Sequence, residues 1–325
     1  MRHIGGELPL PESENRAFFL HSGRAGIRTF CRNFPDKKIL LPDFLCYIIV
    51  DLLEEEGAAY DFYHVDENLV IDLDSVRAKR FDALFVIDYY GKRHRNLTQL
   101  DLEDFILFQD SVFDLHLHNY LNAPKWFGFN SLRKVTHLAD GAYVKTNLPV
   151  EELCLPRPGD FSDLKYAAKA LKHRYFDEGT GSEEAYLEAL AAGEKALDAE
   201  PDICRMSPRS TYEMLELMRN YETELRRRRE NFALLERYLG AYRIPYEPEF
   251  PSFFVLRVPQ KRDALRRFLF GKKVFLPVHW PHFGVDNPLF DQVISIPVFA
   301  HYTPEEMEHV AQSVLEFFGK EGQGG

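Results

Sequence analysis

Three places in this chain hold residues whose types and spacing could do chemistry. Lys134 lies in NSLRKVTHLADGAY, after Ser131 and ahead of an Asp-Gly-Ala turn. Asp110 closes the apolar run FILFQD. Ser22-Gly23-Arg24-Ala25-Gly26 is a small-residue turn that opens a helical pattern. Each has an ordinary explanation on its own. A lysine is usually a solvated charge, an Asp after a strand often caps the next helix, and many helices begin with such a turn.

Taken in order, the three supply an anion cradle, a strand-end carboxylate and an amine. Backbone N–H groups at a helix start can hold a phosphate. Pyridoxal phosphate needs this set: donors for its phosphate, a carboxylate to keep its pyridine nitrogen protonated, and a lysine amine for its aldehyde.

The elements that must position these groups are legible from hydrophobic period and turn chemistry. Residues 22–34 read as a turn and helix, and KKILLP as a strand. DFLCYIIVDLLEEEG reads as a helix stopped by Gly57. AYDFYHVD, DALFVIDYYG, DFILFQD and AYVKT read as strands. Strands alternating with helices predict a largely parallel sheet, which binds ligands beyond its carboxyl edge. Residues 165–197 are polar and helical, with Thr180 to Glu183 as a capping box. ETELRRRRENFALLERYL puts Leu225, Phe232, Leu235 and Leu239 on one helical face. The remainder reads FFVLRV strand, RDALRRFLF helix, KVFLPV strand, VISIPV strand and PEEMEHVAQSVLEFF helix. Two units are expected, residues 1–225 and 226–325.

With these residues in place, the chain resembles the DegT/StrS family of pyridoxal-phosphate-dependent sugar aminotransferases, over about Ser22 to His309. SGRAGI resembles that family's phosphate turn, and ILLPDFLCYIIVDLLEEEGAAYDFYHVDENLVID its following strand–helix–strand segment. ALFVIDYYG resembles its strand ending in an aromatic-Gly pair, and FQDSVF its cofactor-aspartate segment. SLRKVTHLADGAYV resembles a short form of its lysine loop; FLPVHWPHF and ISIPVFAHYTPEEMEHV resemble its C-terminal segments.

The resemblance implies a fold-type-I α/β architecture: a mainly parallel central sheet with helices on both faces and a small C-terminal α+β domain. It implies that Lys134 bonds the cofactor and shuttles the proton, and that Asp110 pairs with the pyridinium nitrogen. The Gly23-Arg24-Ala25 turn and the Ser131 hydroxyl would hold the phosphate. Cys46 or Tyr47 falls where the family stacks a ring on the cofactor; Tyr47 can stack and Cys46 cannot in the same way. His279 lies in a substrate-reaching segment. The reaction implied is transfer of an amino group from a donor such as glutamate to a keto sugar, nucleotide-linked, in a homodimer.

Several positions depart from the family pattern. Arg24 replaces a common Thr, Phe113 a common Gln or His, Ala142 a Gly, and FAHY a common DQRY; the family's Asn-containing segment contributed by the partner subunit is not recognisable. These keep open a second reading, a non-catalytic relative that binds cofactor or sugar nucleotide, and a third, an aminotransferase of small keto compounds. Among Arg226 to Arg229, one could reach a diphosphate, while the ordinary reading is a solvated face. His116 and His118 have no matching third ligand, so no metal is expected. Asp72 and Asp74 read as turn residues, and Tyr89 and Tyr90 as core and rim.

Composition narrows the classes. With 45% hydrophobic residues, 27 Phe and 16 Tyr, the 325 residues can build a sizeable core and are not a disordered scaffold. A net charge of −11 argues against a nucleic-acid surface. Four scattered cysteines without a CxxC pair read as free thiols of a reducing cytoplasm. MRHIGGELPLPESENR has no apolar signal region, GKEGQGG reads as a frayed tail, and no apolar run nears the roughly 18 residues of a membrane span.

Overall fold

The computed structural model describes residues 16–321; nearly all of the leader segment and the GQGG end of the tail lie outside them. Strand β1 (Arg16–Leu20) leads into α1 (Gly23–Asn33). There follow β2 (Ile39–Pro42), α2 (Tyr47–Glu55), β3 (Tyr60–Tyr63), α3 (Leu73–Arg77), β4 (Ala83–Ile87) and β5 (Ile106–Asp110). Next come β6 (Trp126–Phe129), α4 (Leu132–Val135), β7 (Ala142–Thr146), β8 (Leu155–Pro158), α5 (Phe161–Asp177) and α6 (Glu183–Asp198). The chain continues through β9 (Cys204–Arg205), α7 (Pro208–Arg219), α8 (Tyr221–Leu239), β10 (Phe253–Arg257) and α9 (Arg262–Phe270). It ends with α10 (Leu289–Gln292), β11 (Val293–Pro297) and α11 (Pro304–Glu321).

Nine strands form one sheet in the order β3-β2-β4-β5-β6-β7-β1-β9-β8. The five from β3 to β6 are mutually parallel, as expected from their alternation with intervening connections. Their side chains are largely buried, with β2, β4, β5 and β6 buried at every position, which is why they read as unbroken apolar runs. AYVKT, now β7, runs antiparallel to both β6 and β1. The connection from β6 to β7 is too short to carry the chain back along the sheet, so the chain reverses at the same edge.

Other departures from the sequence reading have local causes. Strands β1 and β6 lie in RAFFL and WFGF, runs of only five and four residues that show no alternation of polar and apolar positions. The Thr180 capping box is displaced: Ser182 is the N-cap of α6, its Oγ accepting from Ala185 N at 3.2 Å. KVFLPV is not a strand; Val274 and Leu276 are buried, but the second sheet holds only β10 and β11 and offers them no partner. Helix α2 begins at Tyr47, later than expected, and Gly57 past its end takes φ +69. Asp72 caps α3 through Asp74 N, and Tyr89 and Tyr90 are both fully buried.

The C-terminal β10–β11 pair is antiparallel. Leu235 and Leu239 of α8 and Val314 of α11 are buried within the same continuous core as Phe254 and Ile296 of that pair. Residue 225 lies within α8.

Helix α1 is drawn tightly against the end of β6. A Cβ on Gly26 would lie 2.9 Å from Phe129 Cβ, closer than real side chains approach. Gly26→Ala should therefore force Phe129 to shift and lower stability by about 1–3 kcal/mol. Urea unfolding checks this; an unchanged midpoint would show that α1 has room to retreat.

Candidate active site at the carboxyl edge of the sheet

Asp110 and Phe129 are register partners at the ends of β5 and β6, and the segment carrying Ser131 and Lys134 begins just beyond. Because β7 returns antiparallel, both ends of that segment stay at this edge. Leu132 N donates to Gly141 O at 2.9 Å and closes the loop on itself. The N-terminus of α1 meets it from the side: a Cβ on Gly23 would lie 3.4 Å from Ser131 Cβ and 3.4 Å from Asn130 O. The cradle, the carboxylate and the amine thus share one edge of the molecule.

Each retains unused bonding capacity. Asp110 is 3% exposed, and its carboxylate accepts from Val112 N at 2.9 Å. Burial pushes its pKa from 3.8 up to about 8; the Val112 N–H and Lys134 oppose this, and Asp88 adds to it. Lys134 has no ion-pair or hydrogen-bond partner for its ammonium among the described residues. Its side chain is exposed, while the groups around it partly desolvate the ammonium. That desolvation, with Arg133 next and Arg24 adding to it, lowers its pKa to about 8 against the pull of Cys46 and Glu194. Ser131 is buried at the N-cap of α4, and its hydroxyl caps nothing.

At the cradle, Ser22 Oγ accepts from Ala25 N at 3.3 Å, so that N–H is already engaged. Gly23 and Arg24 supply the open N–H groups that every helix start leaves. The Arg24 side chain pairs with Asp198 of α6 at 2.6 Å. Arg133 pairs with Glu194 at 3.1 Å, and Lys165 reaches the same carboxylate at 2.5 Å.

Cys46 is the N-cap residue of α2 and feels the charges of Lys134, Arg24 and Asp110, although burial is what chiefly raises its thiol pKa. Tyr47, on the first turn, is 40% exposed. His279 is half-buried, its Nδ1 3.0 Å from Ser295 Oγ. Burial first, then the Lys134 charge, lower its pKa to about 3, so it is neutral near pH 7. Phe113 replaces a polar contact with packing: its ring lies 5.4 Å from His279 and 4.8 Å from Tyr90. Under Asp110, the flanking residues Gln109 and Ser111 both donate to Asp88, at 2.7 and 2.6 Å, and Arg93 pairs with it at 2.6 Å. His116 and His118 pack against each other and Tyr221.

Residues that sequence reasoning missed lie around the lysine loop. Asp140 accepts from Ser162, Ser207 and Ser210. Lys169 donates to the His137 and Leu138 carbonyls at 2.9 Å each. Arg228, inside the arginine run, is buried against the same loop. Only the amphipathic period around Leu225 hints that one of those arginines must face inward.

These residues fit pyridoxal phosphate. A buried carboxyl, a free amine and a buried hydroxyl beside open helix N–H groups are what its nitrogen, aldehyde and phosphate require.

Because the folded chain holds a proton on Asp110 that the unfolded chain releases, its contribution works against stability between about pH 4 and pH 8, increasingly as pH rises. Asp110→Asn removes that term. In urea unfolding of the cofactor-free chain, the variant should gain on wild type from about pH 5 to about pH 8 and level off above. A constant difference would mean the carboxyl is ionised throughout.

No protein-family model matches the chain, and no curated protein does. Solved structures do. DesV of S. venezuelae is 16% identical, covers 93% of this chain and 84% of its own, and has a TM-score of 0.64. Helicobacter pylori PseC, an aminotransferase involved in the biosynthesis of pseudoaminic acid, is 16% identical, with coverage of 94% and 87% and a TM-score of 0.63. The putative sugar aminotransferase Spr1654 from Streptococcus pneumoniae, in its PLP form, is 14% identical, with coverage of 92% and 86% and a TM-score of 0.66. At such identities the likeness speaks to architecture: this chain has the α/β fold of these sugar aminotransferases.

Proposed function

We propose that this chain is a pyridoxal-phosphate-dependent aminotransferase that moves an amino group, from a donor such as glutamate, to the ketone of a nucleotide-linked sugar. The observation that carries the reading is the unpaired Lys134 amine at the same edge as the buried, under-bonded Asp110 carboxyl. The fold shared with sugar aminotransferases supports the acceptor class.

Pyridoxal phosphate, when bound, supplies an electron-withdrawing ring that takes up carbanion charge. The chain's own groups do the rest. The N–H groups of Gly23 and Arg24, with the Ser131 hydroxyl, hold the phosphate. Asp110 puts negative charge at the ring nitrogen; a positive partner there would draw its pKa back down and keep it ionised. Lys134 would hold the cofactor through its aldehyde, and its pKa of about 8 keeps a neutral fraction of Nζ that could take and return a proton near pH 7. Neutral His279 lines the substrate side without repelling a cation. Neither Ala25, whose N–H is occupied, nor the exposed Tyr47 is given a primary role.

A homodimer is part of this proposal. Lys134 stands open to solvent in the single chain, and Tyr212 and Leu215 of α7 are 65% and 52% exposed. The reading places the protein in the cytoplasm, supported by four free cysteines. Among the described residues no helix is long and apolar enough to cross a membrane.

The departures at Arg24, Phe113 and the FAHY segment favour one other reading, a binding module without turnover. One experiment separates them. Wild type and Lys134→Ala receive pyridoxal phosphate, their absorbance is followed, and borohydride is added before peptide mapping. A near-visible band fixed onto Lys134 by borohydride, absent in the variant and bleached by an amino donor, is expected. A band on Lys134 that no amino donor bleaches would favour a cofactor-binding module, and no band in either protein would sink the aminotransferase and leave a module that binds sugar nucleotide.

A further inference from the structure

Helix α4, which carries Lys134, is four residues long and cannot hold itself. Its orientation is set by what grips it. Leu132, Val135 and Leu138 are buried in a second apolar cluster with Met214, Leu217, Leu225 and Phe250. The carbonyls just past the lysine are held by two cations. Lys169 takes those of His137 and Leu138, and Arg228 Nη2 donates to Val135 O at 2.6 Å.

Arg228 reaches further than any other member of its run. It is 1% exposed, whereas Arg226, Arg227 and Arg229 face water. Its Nε donates to Glu224 at 2.7 Å, and its Nη1 to Pro251 O, ahead of β10, at 3.3 Å. The guanidinium lies 4.4 Å from the Phe250 ring centre and 4.9 Å from that of Phe299, just past β11. On the same face of α8, Asn231 donates to Phe299 O at 3.0 Å and Tyr302 O at 3.2 Å. Burying an arginine is costly unless its donors are engaged. Here they are spent on groups from three segments, and one is the backbone carbonyl next to Lys134.

We propose that Arg228 is a positioning residue for Lys134, a rigid strut that makes the placement of the amine depend on the C-terminal β10–β11 unit and its Phe299–Tyr302 segment. This rests on the reading of Lys134 as the reactive amine. A shift of Phe299 or of the approach to β10 moves the guanidinium, and the guanidinium moves the Val135 carbonyl. The divergent FAHY segment thereby reaches the reacting end of the site without touching it.

The test uses two readouts that need no turnover: amide hydrogen exchange of the segment 132–140, and the pH dependence of Lys134 acylation by a trace amine reagent, both on the protein as purified and cleared of cofactor. Arg228→Met should speed exchange in that segment by roughly 10-fold while β4 and β5 amides keep wild-type rates. It should also raise the Lys134 acylation midpoint from near pH 8, as the ammonium leaves its crowded hollow. Arg228→Lys, which keeps one donor, should restore part of both, and the exposed neighbour Arg226→Met should change neither. If Arg228→Met does not fold, Phe299→Leu, which loosens only the stacking, must show the same local pattern. Unchanged exchange and acylation in the folded variants overturn the proposal, as does exchange that rises uniformly through β4 and β5. The outcome is separable from the functional reading: failure of borohydride to fix pyridoxal phosphate on Lys134 in wild type defeats that reading alone.

Discussion

The site depends on the antiparallel pairing of β7 with β6. In a run of parallel strands each connection must cross the sheet and begin again at the far edge. Here the chain turns back at once, so a dozen residues are confined to the carboxyl edge, next to the end of β5. That confinement puts a lysine beside a buried aspartate without any long-range folding device. Helix α1 is pulled in against the same edge because two glycines face Phe129 and Ser131. A side chain at Gly26 would press on Phe129 and hold the helix start, with its open N–H groups, away from the Ser131 hydroxyl.

Electrostatics then follows from burial. Lys134 opposes the shift of Asp110, and Cys46 and Glu194 oppose that of Lys134, yet desolvation is the largest cause at both, so in the single chain each is pushed toward neutrality. A cationic ring nitrogen reverses this at the aspartate. Beneath it, Asp88 could repel that carboxylate, but its oxygens are taken up by Arg93, Gln109, Ser111 and Tyr120. Around His279 the surroundings are aromatic: Phe113, Tyr90 and Phe253 each meet its ring edge to face.

Much of the parallel block was legible because its strands are buried on both faces and framed by turn residues. The aspartate, the lysine loop and the glycine turn could be read because each combines a residue type with a place at an element's end. What could not be read depends on contacts between distant segments. Nothing in RRRR distinguishes Arg228 from its neighbours except helical phase. Lys169 looks like any lysine on a polar helix until the loop carbonyls arrive. KVFLPV reads like a strand, yet its backbone pairs with neither β10 nor β11, and only Val274 and Leu276 are buried. WFGF and RAFFL failed for another reason: they are only four and five residues long, and RAFFL finds its partners β7 and β9 far along the chain.

The carboxylates of α6 carry one more implication. Asp198 holds Arg24, and Glu194 holds Arg133 and Lys165, so two carboxylates offset most of the charge of three cations around the rim of the cradle. An arriving phosphate therefore meets little free positive side-chain charge at that rim, on a protein that is itself acidic. On the proposed function its grip would come from fixed backbone dipoles and a hydroxyl, which discriminate by the tetrahedral shape of the group more than by its charge. Selectivity of that kind is little weakened by salt, and polyanions that merely seek a basic surface find none there.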